Sequence, residues 1–132
     1  KPLFAQELPP GTKAGLHKID LATEKQDGKP VKLEPGVPYT VTVKVMTTGS
    51  GSAGDPFAQC KIVRVDADKA PADAARESDP AKRAAAYGKA GMWFDYLDAL
   101  NEAIAANSKD EALLQKRAKA LAKQRLIWKR ES

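Results

Sequence analysis

The chain reads as an α+β protein: a small antiparallel β-sheet, then a linker, then three C-terminal helices. Three observations predict this. Residues 39–46 alternate Tyr39, Val41, Val43 and Val45 with Thr40, Thr42, Lys44 and Met46, the period of a half-buried strand. Residues 66–78 turn to alanine, aspartate, lysine and proline. Past Pro80 the apolar residues recur at the 3.6-residue period of an amphipathic helix. The division that follows is a β-rich region at 1–67, a linker at 68–79 and a helical region at 80–132.

The first twelve residues are expected to be an extended tail. Leu3, Phe4 and Leu8 give it apolar side chains that could dock on a neighbouring sheet edge. Residues 15–21 predict an imperfect strand, with His17, Ile19 and Leu21 on one face. Residues 29–33 predict a short strand before Glu34-Pro35-Gly36-Val37-Pro38. That cluster is a turn, since Pro35 presets its own φ and Gly36 accepts a positive one.

The strand at 39–46 is followed by a glycine- and serine-rich tip at 49–56 and by a further strand at 57–65 whose faces look mixed. The tip lacks the lysine-serine or lysine-threonine ending of a phosphate-binding loop and precedes a strand instead of a helix. Three or four strands are too few for a complete sandwich. The C-terminal helices, with their aromatic face, are therefore expected to cover the sheet.

Asp79 and Pro80 predict a helix start. The aspartate can cap free N–H groups, and the proline lacks the N–H that a first turn leaves unpaired. Gly88 and Gly91 predict a break. A second helix places Trp93, Tyr96, Leu97, Leu100, Ala103 and Ile104 on one stripe, with Asp95, Asp98 and Glu102 elsewhere. Ser108 to Glu111 has the form of a capping box for a third helix. There Leu114, Ala118 and Leu121 share an inner face, and Lys116, Lys119, Lys123 and Arg130 the opposite one. Arg117 and Arg125 fall near the apolar side, which blurs where that helix ends.

Composition narrows the function classes. No apolar run approaches the roughly 20 residues of a membrane span. The net charge of +5 comes from 22 basic residues interspersed with 17 acidic ones, without a recognisable nucleic-acid motif, so nucleic acid is disfavoured as a partner. Cys60 is the single cysteine and His17 the single histidine, which excludes an internal disulfide and a cysteine- or histidine-rich metal site. Asp66, Asp68, Asp73 and Asp79 lack the glycine turn and closing glutamate of a calcium loop. No spacing supports a catalytic triad, and Asp95 and Asp98 have no partner pair. The chain is expected to be non-enzymatic, with no cofactor, no metal and no catalytic residue. Trp93 and Phe94 read as core aromatics or as a binding hot spot. Residues 2–7 resemble weakly the end of an export signal's cleavage region.

Two resemblances extend this reading. Tyr87, Gly91, Trp93, Leu97, Ala103, Ile104 and then Asn107-Ser108 resemble the small and large positions of a tetratricopeptide repeat, over one repeat and the first helix of the next. Tyr96 stands where that repeat usually has alanine, and Ser108 where it has proline. The segments Leu33 to Tyr39, Cys60 to Val65 and Ala90 to Leu97 are similar to motifs of a bacterial family frequent in cyanobacteria, catalogued as domain of unknown function 928. That resemblance implies an exported protein, secreted or periplasmic, with an Ig-like β region. It implies no catalytic residues.

The reading these observations support is an exported structural or protein-interaction module. It would self-assemble into a homo-oligomer or filament through sheet edges or its N-terminal segment, or bind another protein. The alternative is a basic binding module for nucleic acid or an anionic surface, acting through the C-terminal helix. The candidate partner-binding residues are Leu3, Phe4, Leu8, Trp93, Phe94, Lys116, Lys119 and Lys123, with Lys129 and Arg130 extending the basic set.

Overall fold

The computed structural model describes residues 2–46 and 54–123. Most of the glycine-rich tip at 49–56, and Arg125, Trp128, Lys129 and Arg130, lie outside the described residues. The architecture is α+β, built from two separate two-stranded antiparallel sheets and four helices.

The first hairpin pairs β1 (Lys25–Gln26) with β2 (Lys29–Pro30). Asp27 and Gly28 make its turn with φ of 52° and 76°, both in the left-handed region that a two-residue type I′ hairpin loop requires. Val31 N–H extends the ladder to Glu24 O at 3.1 Å, and the Val31 side chain is buried. β2 falls within the short strand expected at 29–33, whereas β1 is not among the expected strands. The Asp-Gly pair between short polar runs is the signal that marks it.

The second hairpin pairs β3 (Pro38–Lys44) with β4 (Phe57–Val63) along seven residues, with Val41 opposite Cys60 at the centre. The turn that leads into β3 forms as expected: Val37 N–H bonds Glu34 O at 3.3 Å and Gly36 has φ of 75°. The Tyr39 hydroxyl accepts the Glu34 N–H at 3.0 Å and ties that turn to the strand. At the far end of β4, Gly36 N–H donates to Arg64 O at 2.9 Å, and the Arg64 guanidinium bonds Leu33 O at 3.0 Å.

The helices are α1 (Ala72–Arg76), α2 (Pro80–Lys89), α3 (Trp93–Ala106) and α4 (Glu111–Lys123). Among the described residues they number four: α2, α3 and α4 fall in the region read as helical, and the segment read as a linker supplies α1, whose Ala74 is fully buried. Asp79 caps α2 through bonds from Ala81 N–H at 2.9 Å and Lys82 N–H at 3.4 Å, with Pro80 next to it. The break between α2 and α3 comes later than Gly88. Gly91, at φ of 73°, closes a Schellman turn in which Met92 N–H reaches Tyr87 O and Gly91 N–H reaches Gly88 O.

Asp110, and not Ser108, caps α4. Its carboxylate accepts from Ala112 N–H at 3.0 Å and Leu113 N–H at 3.3 Å, where a charged acceptor meets the positive helix end. The buried face of α4 also departs from the expected one. Leu113 and Ala120 are buried, Leu114 and Leu121 are half-buried, and Ala118, expected inside, is exposed.

The main core cluster lies in the helices. Ala84, Ala99, Leu100, Ala103, Ile104 and Leu113 form it, with Tyr87, Tyr96 and Leu114 packed around. Arg83 stitches the layers, donating to Glu77 O at 2.9 Å and pairing with Glu102 of α3. Arg117 of α4 bonds Asn101 Oδ1 of α3 at 3.1 Å.

Three expectations are corrected here. Residues 15–21 form no strand: Leu16 and Ile19 are exposed, and Asp20 folds the chain into a turn by accepting from Ala22 N–H and Thr23 N–H. Its imperfect alternation offered neither face a clean apolar set to bury. Among the described residues no helix covers the β3–β4 sheet, because α2, α3 and α4 spend their apolar faces on one another. Among the described residues the strands make two hairpins, with no second sheet stacked on either as an Ig-like sandwich would have.

Candidate functional site

Two surfaces of the described residues are candidates, one on the hairpin and one on the helices. On the hairpin, directly paired residues share a face. Register therefore sets Tyr39, Val41 and Val43 beside Ile62, Cys60 and Ala58. This face is wholly apolar, and much of it is open: Val43 is 59% exposed, and Val41 and Cys60 are exposed too. The other face mixes Thr40, Thr42 and Lys44 with Phe57, Gln59 and Lys61, and Gln59 bonds Thr42 across it at 3.1 Å. The second strand's faces looked mixed in sequence because its apolar set, Ala58, Cys60 and Ile62, is weak without its partner.

The hairpin also has an open edge. Val45 N–H donates to Pro56 O at 3.0 Å. Antiparallel alternation then turns the N–H groups of Thr40, Thr42 and Lys44 away from β4. No third strand takes them among the described residues. Partial burial among its apolar neighbours pushes the Cys60 thiol pKa up, which favours the neutral, unreactive form.

On the helices, a groove of about 900 Å³ runs between α2, α3 and α4. Its floor is small, with Ala81, Ala84, Ala85, Gly88 and Ala120, and Trp93 and Tyr96 stand at its side. Lys116, Lys119 and Lys123 line it from α4, and no carboxylate does among the described residues. The sequence reading placed these lysines on the face opposite the apolar stripe. With Leu113 and Ala120 turned inward, they border the core instead.

Trp93 is half-buried and meets Phe94 edge-on, with ring centroids 5.0 Å apart and planes at 85°. Its indole Nε1 is buried and has no acceptor among the described residues, an arrangement that costs about 1–3 kcal/mol when left unmet. Phe94 is exposed. The structure thus gathers Trp93, Lys116, Lys119 and Lys123 at one groove, with Phe94 beside Trp93.

Leu3, Phe4 and Leu8 lie elsewhere. They join neither sheet; Ala5 N–H reaches Gln26 Oε1 at 3.2 Å, leaving Leu3 and Leu8 exposed and Phe4 half-buried. Lys18 reaches Asp98 of α3 at 2.9 Å and holds the N-terminal segment against the helices. That carboxylate raises the Lys18 pKa, its hydrogen bond outweighing desolvation. His17 is exposed and donates only to Lys13 O, at 2.8 Å when Nε2 carries the proton. No group of three or more His, Cys, Asp or Glu side chains able to hold a metal ion forms among the described residues.

Comparison with known families places the chain. Residues 1–128 match the family described as Domain of Unknown Function (DUF928). The chain belongs to the DUF928 family. No curated protein and no solved structure matches it. For this DUF928 chain, the hairpin face and the helical groove are therefore read from their own chemistry. No helix among its described residues is long and apolar enough to cross a membrane.

Proposed function

We propose that this DUF928 chain is a non-enzymatic interaction module that self-assembles through its β3–β4 hairpin, copy against copy. The observation that supports it most is the all-apolar hairpin face around Val41 and Cys60, which no helix among the described residues covers. A lone two-stranded hairpin is marginal in water. An edge with outward N–H groups and no charge before Lys44 is a template for another strand.

A second copy suits that edge. β3 against its own copy, antiparallel about a two-fold axis, pairs like with like and satisfies both edges at once. Stacking two such faces alone would cover on the order of 500 Å² from strand spacing, short of the roughly 1,200 Å² of a stable interface. Edge pairing adds main-chain hydrogen bonds and doubles the apolar face, which then stacks on the next pair. Growth beyond a dimer, to an oligomer or filament, is the consequence. Strands gained this way would build towards the Ig-like sheet that the family resemblance implies. The tetratricopeptide likeness lies in α2, α3 and α4, which take no part in this assembly. We propose an exported setting, secreted or periplasmic, on the family resemblance, and cell fractionation tests it.

The assembly test is light scattering coupled to size exclusion across concentration and salt. The expected result is an oligomer little affected by salt, abolished by Thr40→Pro, which removes an outward N–H while sparing the ladder to β4. A monomer at every concentration sinks the reading.

A further inference from the structure

The helical groove is a different surface from the hairpin, and its chemistry points to a different occupant. We infer that the groove between α2, α3 and α4 is a docking site for an acidic amphipathic helix of a partner protein.

Charge complementarity is the first argument. Lys116, Lys119 and Lys123 are exposed, line the groove together and form no ion pair among the described residues. Spaced i, i+3 and i+7 on α4, they make a line of positive charge roughly 10 Å long at the helical rise. A docked helix with carboxylates at i, i+3 or i+4, and i+7 presents the opposite charge on the same pitch. Among the described residues no carboxylate lines the groove, and none there pairs with these lysines.

The floor is the second argument. Ala81, Ala85 and Gly88 carry no bulky side chain, leaving room for a helix to approach closely and seat apolar side chains against the half-buried rings of Trp93 and Tyr96. A volume of about 900 Å³ is at the upper end for ligand sites and too open for a small metabolite to be enclosed. Trp93 is the third: it lines the groove half-buried, with ring area left for an apolar side chain of the partner.

The same features disfavour nucleic acid. Stacking platforms need open aromatic faces, whereas Trp93 is half-buried and engaged edge-on by Phe94. The lysine line borders an apolar trough where a polyanion would find no polar partners.

The test is selection of a displayed library of 16-residue helical peptides on the immobilised full chain, wild type and Lys116→Glu/Lys119→Glu. Enriched peptides should carry Asp or Glu at i, i+3 or i+4, and i+7, opposite a Leu, Ile or Ala face. Their affinity should fall at least about tenfold with the double charge reversal, while the helical circular dichroism stays unchanged. In a Trp128→Phe background the enriched peptides should shift the Trp93 emission. Val43→Lys, on the hairpin, should leave peptide binding intact, so that loss of assembly and loss of docking are read separately. No enrichment, enrichment without acidic residues, or binding that survives the charge reversal overturns the inference. So does stronger retention of duplex DNA or of phosphatidylglycerol vesicles by the same lysines.

Discussion

Tyr96 of α3 rests on the bare backbone of Gly88 in α2: a Cβ at Gly88 would lie 3.1 Å from Tyr96 Cδ2 and 3.3 Å from Cε2. The glycine sits in a helix, where it is otherwise costly. Its place is explained by the close crossing of the two helices.

Gly88→Val should therefore loosen the α2–α3 pair. Overpacking and a β-branched residue act together, and a loss of about 1–3 kcal/mol is expected. Urea unfolding followed by helical circular dichroism measures it, and an unchanged midpoint would mean that Tyr96 gives way freely.

Leu100 is 1% exposed at the centre of the helical core. Leu100→Ala should cost about 2–5 kcal/mol, from lost burial and the cavity left behind. The same unfolding experiment reads it, and a loss below that range would place the core's centre elsewhere.

The two aspartate caps make a paired prediction. Asp79→Ala and Asp110→Ala should each destabilise by about 1 kcal/mol, whereas Ser108→Ala should change thermal stability little. A large effect at Ser108 would restore the capping box that the sequence suggests and the structure does not form.

Cys60 gives a pH dependence. Its thiol pKa is raised in the folded chain, so less thiolate forms at neutral pH than in an unfolded peptide. Alkylation by iodoacetamide should be slow at pH 7 and climb only as pH passes the ordinary thiol range. The linkage follows the same sign: the folded state keeps its proton longer, so stability is unaffected below the unfolded thiol pKa and declines as pH rises past it. If copies cover the hairpin face, alkylation should also slow with protein concentration. A rate equal to that of a free thiol at pH 7 contradicts the shift.

Local features were legible in the residues because they depend on near neighbours. The Asp79-Pro80 helix start, the Pro35-Gly36 turn, the period-two strand through Val41 and Val43, and the stripe through Leu100 and Ile104 each follow from dihedral preference, capping or side-chain period. The imperfect run at 15–21 shows the limit. Local alternation there found no second strand to pair with, and Asp20 turned the chain instead. Of the candidate site, the residue types were legible in Trp93 and the lysines of α4. Their meeting at one groove was not, because it follows from the Asp110 cap and the packing of Leu113.

The sequence by itself determined the order of strands before helices, the main helix starts and turns, and the absence of a cysteine framework, since these rest on composition and on contacts a few residues apart. Only the tertiary structure decided that the helices bury their faces in each other and leave the hairpin open, that Cys60 stands opposite Val41, and that Lys116, Lys119 and Lys123 border an apolar trough beside Trp93. Those outcomes depend on register and on packing between residues far apart along the chain, where many pairings satisfy the same local pattern and burial selects among them.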